Sequence, residues 1–375
     1  MLKIRIKQIK AILLIGFFSL LGLFVKKKLW VISERGKDAR DNGYHFYRYL
    51  KKQHPEIRVC YIIDKNSVDY EKVKEDAVQY GSIRNYWVVA TAQKLVSSHY
   101  ALCLPDIGSK LFAILRLDRK FYFLQHGIIK DDLKFLYREN APMKLFCCGA
   151  KPEYEWIKSC FGHDDNVVHY TGLARYDALL NVTETKKQIL VMPTWRSNIT
   201  DVASFLNSPF FLNWQKLLCN EKLNNLLKQN GYKLVFYPHF ELQKYLNCFS
   251  FKYECIQPAS FEKYDVQTLL KESALLVTDY SSVFFDFAYM KKPLIYFQFD
   301  YEEFFSKHYE KGYFDYNEHG FGKVCDHYDS VIDEISMILE NGFKISDTYE
   351  SRIDSFFDKR DANNCERIYD LIVMR

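Results

Sequence analysis

Short apolar runs alternate with amphipathic stretches along this chain, and the alternation starts twice. Residues 29–33 (LWVIS), 58–63 (RVCYII), 95–98, 121–125 and 145–148 are brief, nearly continuous apolar runs rich in β-branched and aromatic side chains. Runs this short, separated by polar turns, predict strands buried on both faces of a parallel sheet. Between the first two, residues 44–53 predict a helix closed by Pro55. The pattern restarts at 188–192 (QILVM) and continues through 233–237 (KLVFY), 274–277 and 294–297, with helical runs at 214–230 and 331–339. Strands alternating with helices predict the α/β class. The restart predicts two doubly wound Rossmann-like domains facing across a cleft.

The break falls in 181–187 (NVTETKK), the most polar and least periodic stretch between the two patterns. This divides the chain into domains at 29–183 and 184–345, followed by a helical segment, 346–375, long enough to cross back onto the first domain. Ahead of them, in residues 1–28, Lys3, Arg5, Lys7 and Lys10 precede a fifteen-residue apolar run, 11–25, and Lys26, Lys27 and Lys28 follow it. That run is shorter than the roughly 20 residues of a spanning helix. Three lysines also stand where a signal peptide carries small residues. Basic flanks suit a peripheral helix lying in the cytoplasmic face of an anionic cell membrane. The alternative is a buried first helix.

Composition changes this picture little. A chain of 375 residues with 48% hydrophobic and 26% charged content is globular and long for one core. A net charge of +5, without an RNP, zinc-finger or Gly-rich basic motif, gives no support to a nucleic-acid partner. Ten scattered cysteines without a CxxC pair predict free thiols rather than a zinc ribbon or a disulfide framework. The 28 Tyr and 30 Phe reflect either compositional bias or an aromatic-lined binding surface.

Ligands of doubly wound sheets sit at the carboxyl ends of strands, and polar clusters fall there. In 125–130 (QHGIIK), His126 directly follows an aromatic strand, Gly127 permits a sharp turn, and Lys130 comes next. An imidazole at that place can take a proton from an attacking hydroxyl. A turn at 171–177 (TGLARYD) carries Arg175 and Asp177, and 192–196 (MPTWR) offers a Thr194 hydroxyl beside the Arg196 fork, a pairing suited to phosphate. His239, in 237–239 (YPH), could donate to a phosphate oxygen and offset charge on a leaving group. The stretch 277–287 (VTDYSSVFFDF) is unusual because hydroxyls cluster between a strand and a helix that both look buried. Asp279, Ser281 or Ser282 would cap that helix. The remaining hydroxyls and free N–H groups would suit a diphosphate at its positive end. Asp286 would accept from the ligand or the loop. For each cluster a purely structural role is the alternative. There is no Walker A, GxGxxG, GxSxG or HExxH motif, and no DxD-type carboxylate pair marks a metal.

Taken in register, these motifs resemble the CDP-glycerol glycerophosphotransferase family of teichoic-acid primases and polymerases. The resemblance rests on 125–130, 172–177, 193–196, His239, 278–287 with its continuation at 292–296 and 300–302, and 311–316 (KGYFDY). It implies a GT-B-like fold. It also implies transfer of a polyol phosphate, most directly glycerol phosphate, from CDP-glycerol to a hydroxyl of a lipid-linked acceptor, with CMP released. That acceptor would be a polyprenyl-diphosphate glycan or a growing surface polymer, and the only cofactor-like molecule is the donor itself. By the same resemblance His126 is the general base and His239 assists the donor diphosphate. Thr278, Ser281 and Ser282 hold diphosphate oxygens, Asp279 and Asp286 order the loop, and Thr194 and Arg196 contact phosphate. Gly127, Lys130 and Arg175 lie on the acceptor side. CDP-ribitol or a nucleotide sugar as donor for a capsule or surface polysaccharide, and a non-catalytic membrane scaffold, are the alternative readings.

Overall fold

The computed structural model describes residues 2–24, 28–180, 184–307 and 310–375, with the backbone alone for 2–6. Lys26, Lys27, the side chains of Lys3 and Arg5, and the boundary at 183 lie outside what is described. The chain forms two compact units. One comprises Met1–Ile128, Leu133–Ala178 and Asp361–Arg375; the other comprises Ile129–Asp132 and Leu179–Arg360.

The first unit is built on strands β1 (Leu29–Ser33), β2 (Arg58–Ile63), β3 (Ala77–Gln79), β4 (Lys94–Ser97), β5 (Phe121–Phe123), β6 (Leu145–Cys148) and β7 (Val168–Tyr170). They pair in parallel in the order β3-β2-β1-β4-β5-β6-β7. Parallel strands need crossovers, and the intervening helices cover both faces, which is why β1, β4 and β6 are buried almost without alternation. Helix α1 (Leu2–Leu21) packs on α3 (Ile83–Thr91), while α2 (Asn42–Gln53) buries Phe46, Tyr47 and Leu50 in the core. The order reverses between β1 and β4, where the Ser33 hydroxyl donates to Ser97 Oγ at 3.1 Å.

The second unit repeats the plan with β8 (Gln188–Met192), β9 (Lys233–Phe236), β10 (Ile256–Pro258), β11 (Leu275–Thr278), β12 (Leu294–Phe297) and β13 (Lys323–Cys325). All are parallel, in the order β10-β9-β8-β11-β12-β13, so the reversal lies between β8 and β11. Trp214, fully buried, sits edge-on to Phe297 with centroids 5.0 Å apart in its core.

Several predicted boundaries shift. Residues 214–230 are not one helix: Pro209–Leu218 ends, and Asn220 caps Glu221–Asn230 by accepting from the Leu223 N–H at 3.2 Å. The edge strands β3, β7, β10 and β13 have three residues each, too few for a hydrophobic period to register. Residues 129–132 belong to the second unit, where Asp131–Asp132 pairs antiparallel with Glu310–Lys311.

The segment 346–375 does not cross back as one piece. Asp347–Phe356 stays with the second unit, its Phe356 ring stacked on Phe285 at 5.3 Å. Only 361–375 joins the first unit, where helix Asn364–Val373 buries Ile368 and Ile372. Asp177 holds its start, accepting from the N–H groups of Asn364 and Cys365, each at 2.9 Å.

Gly172 explains part of this docking. Its φ of 77° is left-handed, and a Cβ there would overlap the Asn364 carboxamide. Gly172→Ala is therefore expected to lower the unfolding free energy by about 1–3 kcal/mol, read from urea denaturation. An unchanged midpoint would mean that the turn has room for a side chain.

Candidate active site

In the first unit the strand ends β1, β4, β5 and β7 converge on His126. The turn before it is made by Gln125, at φ 61°, and not by Gly127, whose φ is not left-handed. Gln125 is fully buried; its Nε2 donates to the Cys147 carbonyl at 2.5 Å, and its own carbonyl accepts from Asn42 Nδ2 at 2.8 Å. The His126 side chain is thereby held outward, 63% exposed, with Nδ1 2.6 Å from Asp41 Oδ2. Its Nε2 has no partner among the described residues. Arg175 donates from Nη1 to Asp41 Oδ1 at 2.9 Å and to the His126 carbonyl at 2.6 Å, and its backbone N–H binds Asn42 Oδ1 at 3.0 Å. Arg175 therefore clamps the loop that carries the histidine.

Glu34, buried at the end of β1, accepts from the backbone N–H groups of Arg40 (3.2 Å), Asp41 (2.9 Å) and Tyr44 (2.9 Å) and so folds the loop that presents Asp41. Burial, followed by the Asp41 charge, pushes the Glu34 carboxyl up to about 8. Burial also opposes ionisation of Asp41, but His126, Arg175 and His99 outweigh it and hold that carboxyl well below the usual carboxylate range. The His99 ring lies 4.6 Å from that of His126, and burial, then the His126 charge, keeps it well below the ordinary imidazole range.

Lys130 is not part of this group. It lies in the second unit, buried, with Nζ 2.6 Å from Asp131 and facing the rings of Tyr316 and Phe305 at 5.7 and 5.9 Å. Its ammonium is paired with the Asp131 carboxylate.

In the second unit the β8/β11 switch point is occupied by a buried ion cluster. Arg196 pairs through Nη2 with Asp279 at 2.9 Å and through Nε with Asp300 at 2.8 Å, and Nη1 donates to the Thr194 carbonyl at 2.8 Å. Its guanidinium lies about 5 Å from the centroids of the Phe304, Tyr280 and Phe210 rings. Asp279 also accepts from the N–H groups of Thr194 at 2.8 Å and Tyr280 at 2.6 Å. Thr278 Oγ1 donates to the Met192 carbonyl at 2.6 Å and is wholly buried.

Arg196 and Thr278 are thus buried, with these polar groups engaged by protein partners. Asp279 does organise the loop, and Asp286 is buried behind it. Ser281 and Ser282 differ: both are half-buried, and neither hydroxyl is hydrogen-bonded among the described residues. Ser282 stands at the N-cap position without capping, and the helix it opens, Val283–Tyr289, has only seven residues. The Thr194 hydroxyl is buried nearby without a partner among the described residues.

His239 follows β9, half-buried, its ring stacked on Trp195 at 6.4 Å. Its Nδ1 accepts from the Glu241 N–H at 3.3 Å, which puts its own N–H at Nε2.

Sequence reasoning gave no site role to Asp41, Asn42, His99 or Asp300. His99 stands one residue past the predicted strand 95–98, so the strand-end rule that found His126 would have found it too. Nothing in the sequence pairs Asp41 with a histidine 85 residues away.

Removing Arg196 would leave two buried carboxylates unpaired. Arg196→Ala is therefore expected to lower the stability of the unliganded protein by about 3–5 kcal/mol, measured by urea denaturation. A loss under about 1 kcal/mol would mean that the cluster is not a structural brace.

The family model for CDP-glycerol:poly(glycerophosphate) glycerophosphotransferase matches residues 15–374. The chain is 33% identical over 368 residues to the minor teichoic acid biosynthesis protein GgaB of Bacillus subtilis, covering 94% of this chain and 40% of that protein. It is 25% identical over 356 residues to the teichoic acid poly(glycerol phosphate) polymerase of Staphylococcus epidermidis, covering 86% of this chain and 47% of the other. The chain therefore spans less than half the length of these two relatives. The structure of the wall teichoic acid polymerase TagF superposes with a TM-score of 0.69 at 20% identity, covering 100% of this chain and 97% of that one. That likeness shows the fold, a GT-B-like pair of α/β units. The chain belongs to the CDP-glycerol:poly(glycerophosphate) glycerophosphotransferase family.

Proposed function

We propose that this chain transfers glycerol phosphate from CDP-glycerol to a hydroxyl of a lipid-linked acceptor or growing teichoic-acid-type polymer, releasing CMP. Family membership supports the reaction class. The observation that carries the chemistry is the exposed His126 imidazole, bonded through Nδ1 to Asp41 with Nε2 directed away. In the step, the acceptor oxygen attacks the phosphorus of the glycerol phosphate and its proton passes to His126 Nε2. The bond from that phosphorus to the bridging oxygen breaks, and the electron pair leaves with CMP. The N–H at His239 Nε2 suits the charge growing on the leaving phosphate. The unengaged hydroxyls of Ser281 and Ser282 suit the diphosphate oxygens.

Attachment to the cytoplasmic face of a membrane fits α1. The helix is longer than its apolar run, and its stretch Lys7–Phe24, with mean hydropathy 1.7, is long and apolar enough to cross a membrane. One face is already committed, however. Ala11 and Ile15 are buried, Phe18 meets Trp87 edge-on at 5.3 Å, and Gly22 lies close to Thr91. The opposite face exposes Ile9, Leu13, Phe17 and Leu20, and Lys7, Lys10 and Lys28 are exposed in and after the helix. An apolar ridge with basic flanks suits a helix lying in the plane of an anionic surface.

Two outcomes test this reading. Given CDP-glycerol, CDP-ribitol and nucleotide sugars separately, the protein is expected to release CMP from CDP-glycerol, and His126→Ala should slow that transfer by about 10²-fold or more while the protein stays folded. Consumption of a nucleotide sugar alone would contradict the reading. Leu13→Asp with Phe17→Asp is expected to weaken co-sedimentation with phosphatidylglycerol vesicles about 100-fold, from the lost burial of two large side chains; unchanged binding would place the membrane contact elsewhere.

A further inference from the structure

We infer that Asp41 is a positioning residue for His126: it holds the imidazole as the Nδ1–H tautomer, so that Nε2 is the proton-accepting atom. Asp41 occupies the N-cap position of α2, yet its side chain makes no capping hydrogen bond. The N–H it would ordinarily serve, that of Tyr44 at the third position of the helix, is taken by Glu34 at 2.9 Å. Glu34 at the end of β1 thus acts as a substitute cap and frees the aspartate for the histidine.

Both oxygens of Asp41 are then spent on the site. Oδ2 accepts from His126 Nδ1 at 2.6 Å, a length typical of a strong, charge-assisted bond, and Oδ1 accepts from Arg175 Nη1 at 2.9 Å. Asn42, wholly buried, joins the two loops from the side, donating to the Gln125 carbonyl and accepting from the Arg175 N–H. The partner of one ring nitrogen decides which nitrogen carries the proton. A carboxylate on Nδ1 therefore leaves the lone pair on the exposed Nε2. His99, held uncharged by its burial, adds no repulsion when His126 takes up a proton.

The same three side chains, Asp41, His99 and His126, have ligand atoms within 4.8 Å of one another, which is also a spacing a metal ion could use. A cation there would have to share Asp41 with the Arg175 guanidinium and break the 2.6 Å bond to His126. The geometry favours the hydrogen-bonded dyad.

The kinetic half of this inference rests on the transfer reaction proposed above; the tautomer half does not. In ¹⁵N-histidine-labelled wild-type protein, with the His126 signals assigned by their loss in His126→Gln, the expected state is the proton on Nδ1. Asp41→Ala should move it toward Nε2, and Asp41→Asn, which keeps an acceptor oxygen, should hold more of the Nδ1–H form. With CDP-glycerol and a glycerol-phosphate-primed lipid acceptor, Asp41→Ala should lower kcat by about 10²-fold or more with little change in KM for the donor.

A wild-type His126 protonated on Nε2, or an Asp41→Ala variant with unchanged kcat, would overturn the inference. So would activity abolished by EDTA and restored by Zn²⁺ or Mn²⁺. If no donor is turned over, the transfer reading fails, while the tautomer measurement still decides the role of Asp41. Should Asp41→Ala not fold, the wild-type tautomer alone decides it.

Discussion

A buried carboxylate is tolerated only where donors surround it, and each unit of this protein is organised around one such group at the ends of its parallel strands. In the first unit Asp41 gathers the ends of β1, β5 and β7 through His126 and Arg175. In the second, Asp279 ties β11 to β8 through the N–H of Thr194 and the guanidinium of Arg196. Parallel strands end together without hairpins, so their terminal polar groups lie side by side and need partners from elsewhere in the chain. The two aspartates supply them, and the shape of each loop follows.

The two clusters serve different ends. Around Asp41 the charged residues hold a histidine that stays exposed. Around Asp279 they are sealed in by Tyr280, Phe304 and Phe210, and the charge never reaches the surface. The polar surplus in 278–282 divides accordingly. Thr278 and Asp279 turn inward to build the loop, while the Ser281 and Ser282 hydroxyls bond to none of the described residues. Arg196 is the internal brace of the loop that carries these serines.

Much of this fold was legible because parallel strands buried on both faces write themselves as apolar runs. The runs at 29–33, 58–63, 145–148, 188–192 and 294–297 coincide with strands residue for residue. Three-residue edge strands carry too little pattern to be seen, and the break at 357–363 in the final helical segment depends on which core Phe356 and Ile368 choose. In the site, the strand-end rule located His126, Arg196, His239 and the serines. It could not say which polar groups face one another. Nothing local to Arg196 shows that Asp300, 104 residues on, occupies its Nε. Asp41 stands at a helix N-cap position, and only the folded chain shows Glu34 serving the Tyr44 N–H in its stead. Such pairings are tertiary facts, fixed by sheet order and not by local sequence.

In the proposed reaction His126 takes the proton, and Ser281, Ser282 and His239 meet the donor diphosphate. The most direct measurement is a crystal structure of the His126→Ala variant soaked with CDP-glycerol. Diphosphate oxygens within hydrogen-bonding distance of the Ser281 and Ser282 hydroxyls and of His239 Nε2, with the Arg196–Asp279–Asp300 cluster intact, would bear the account out. A diphosphate bound by Arg196 or Lys130, with their present carboxylate partners displaced, would contradict it.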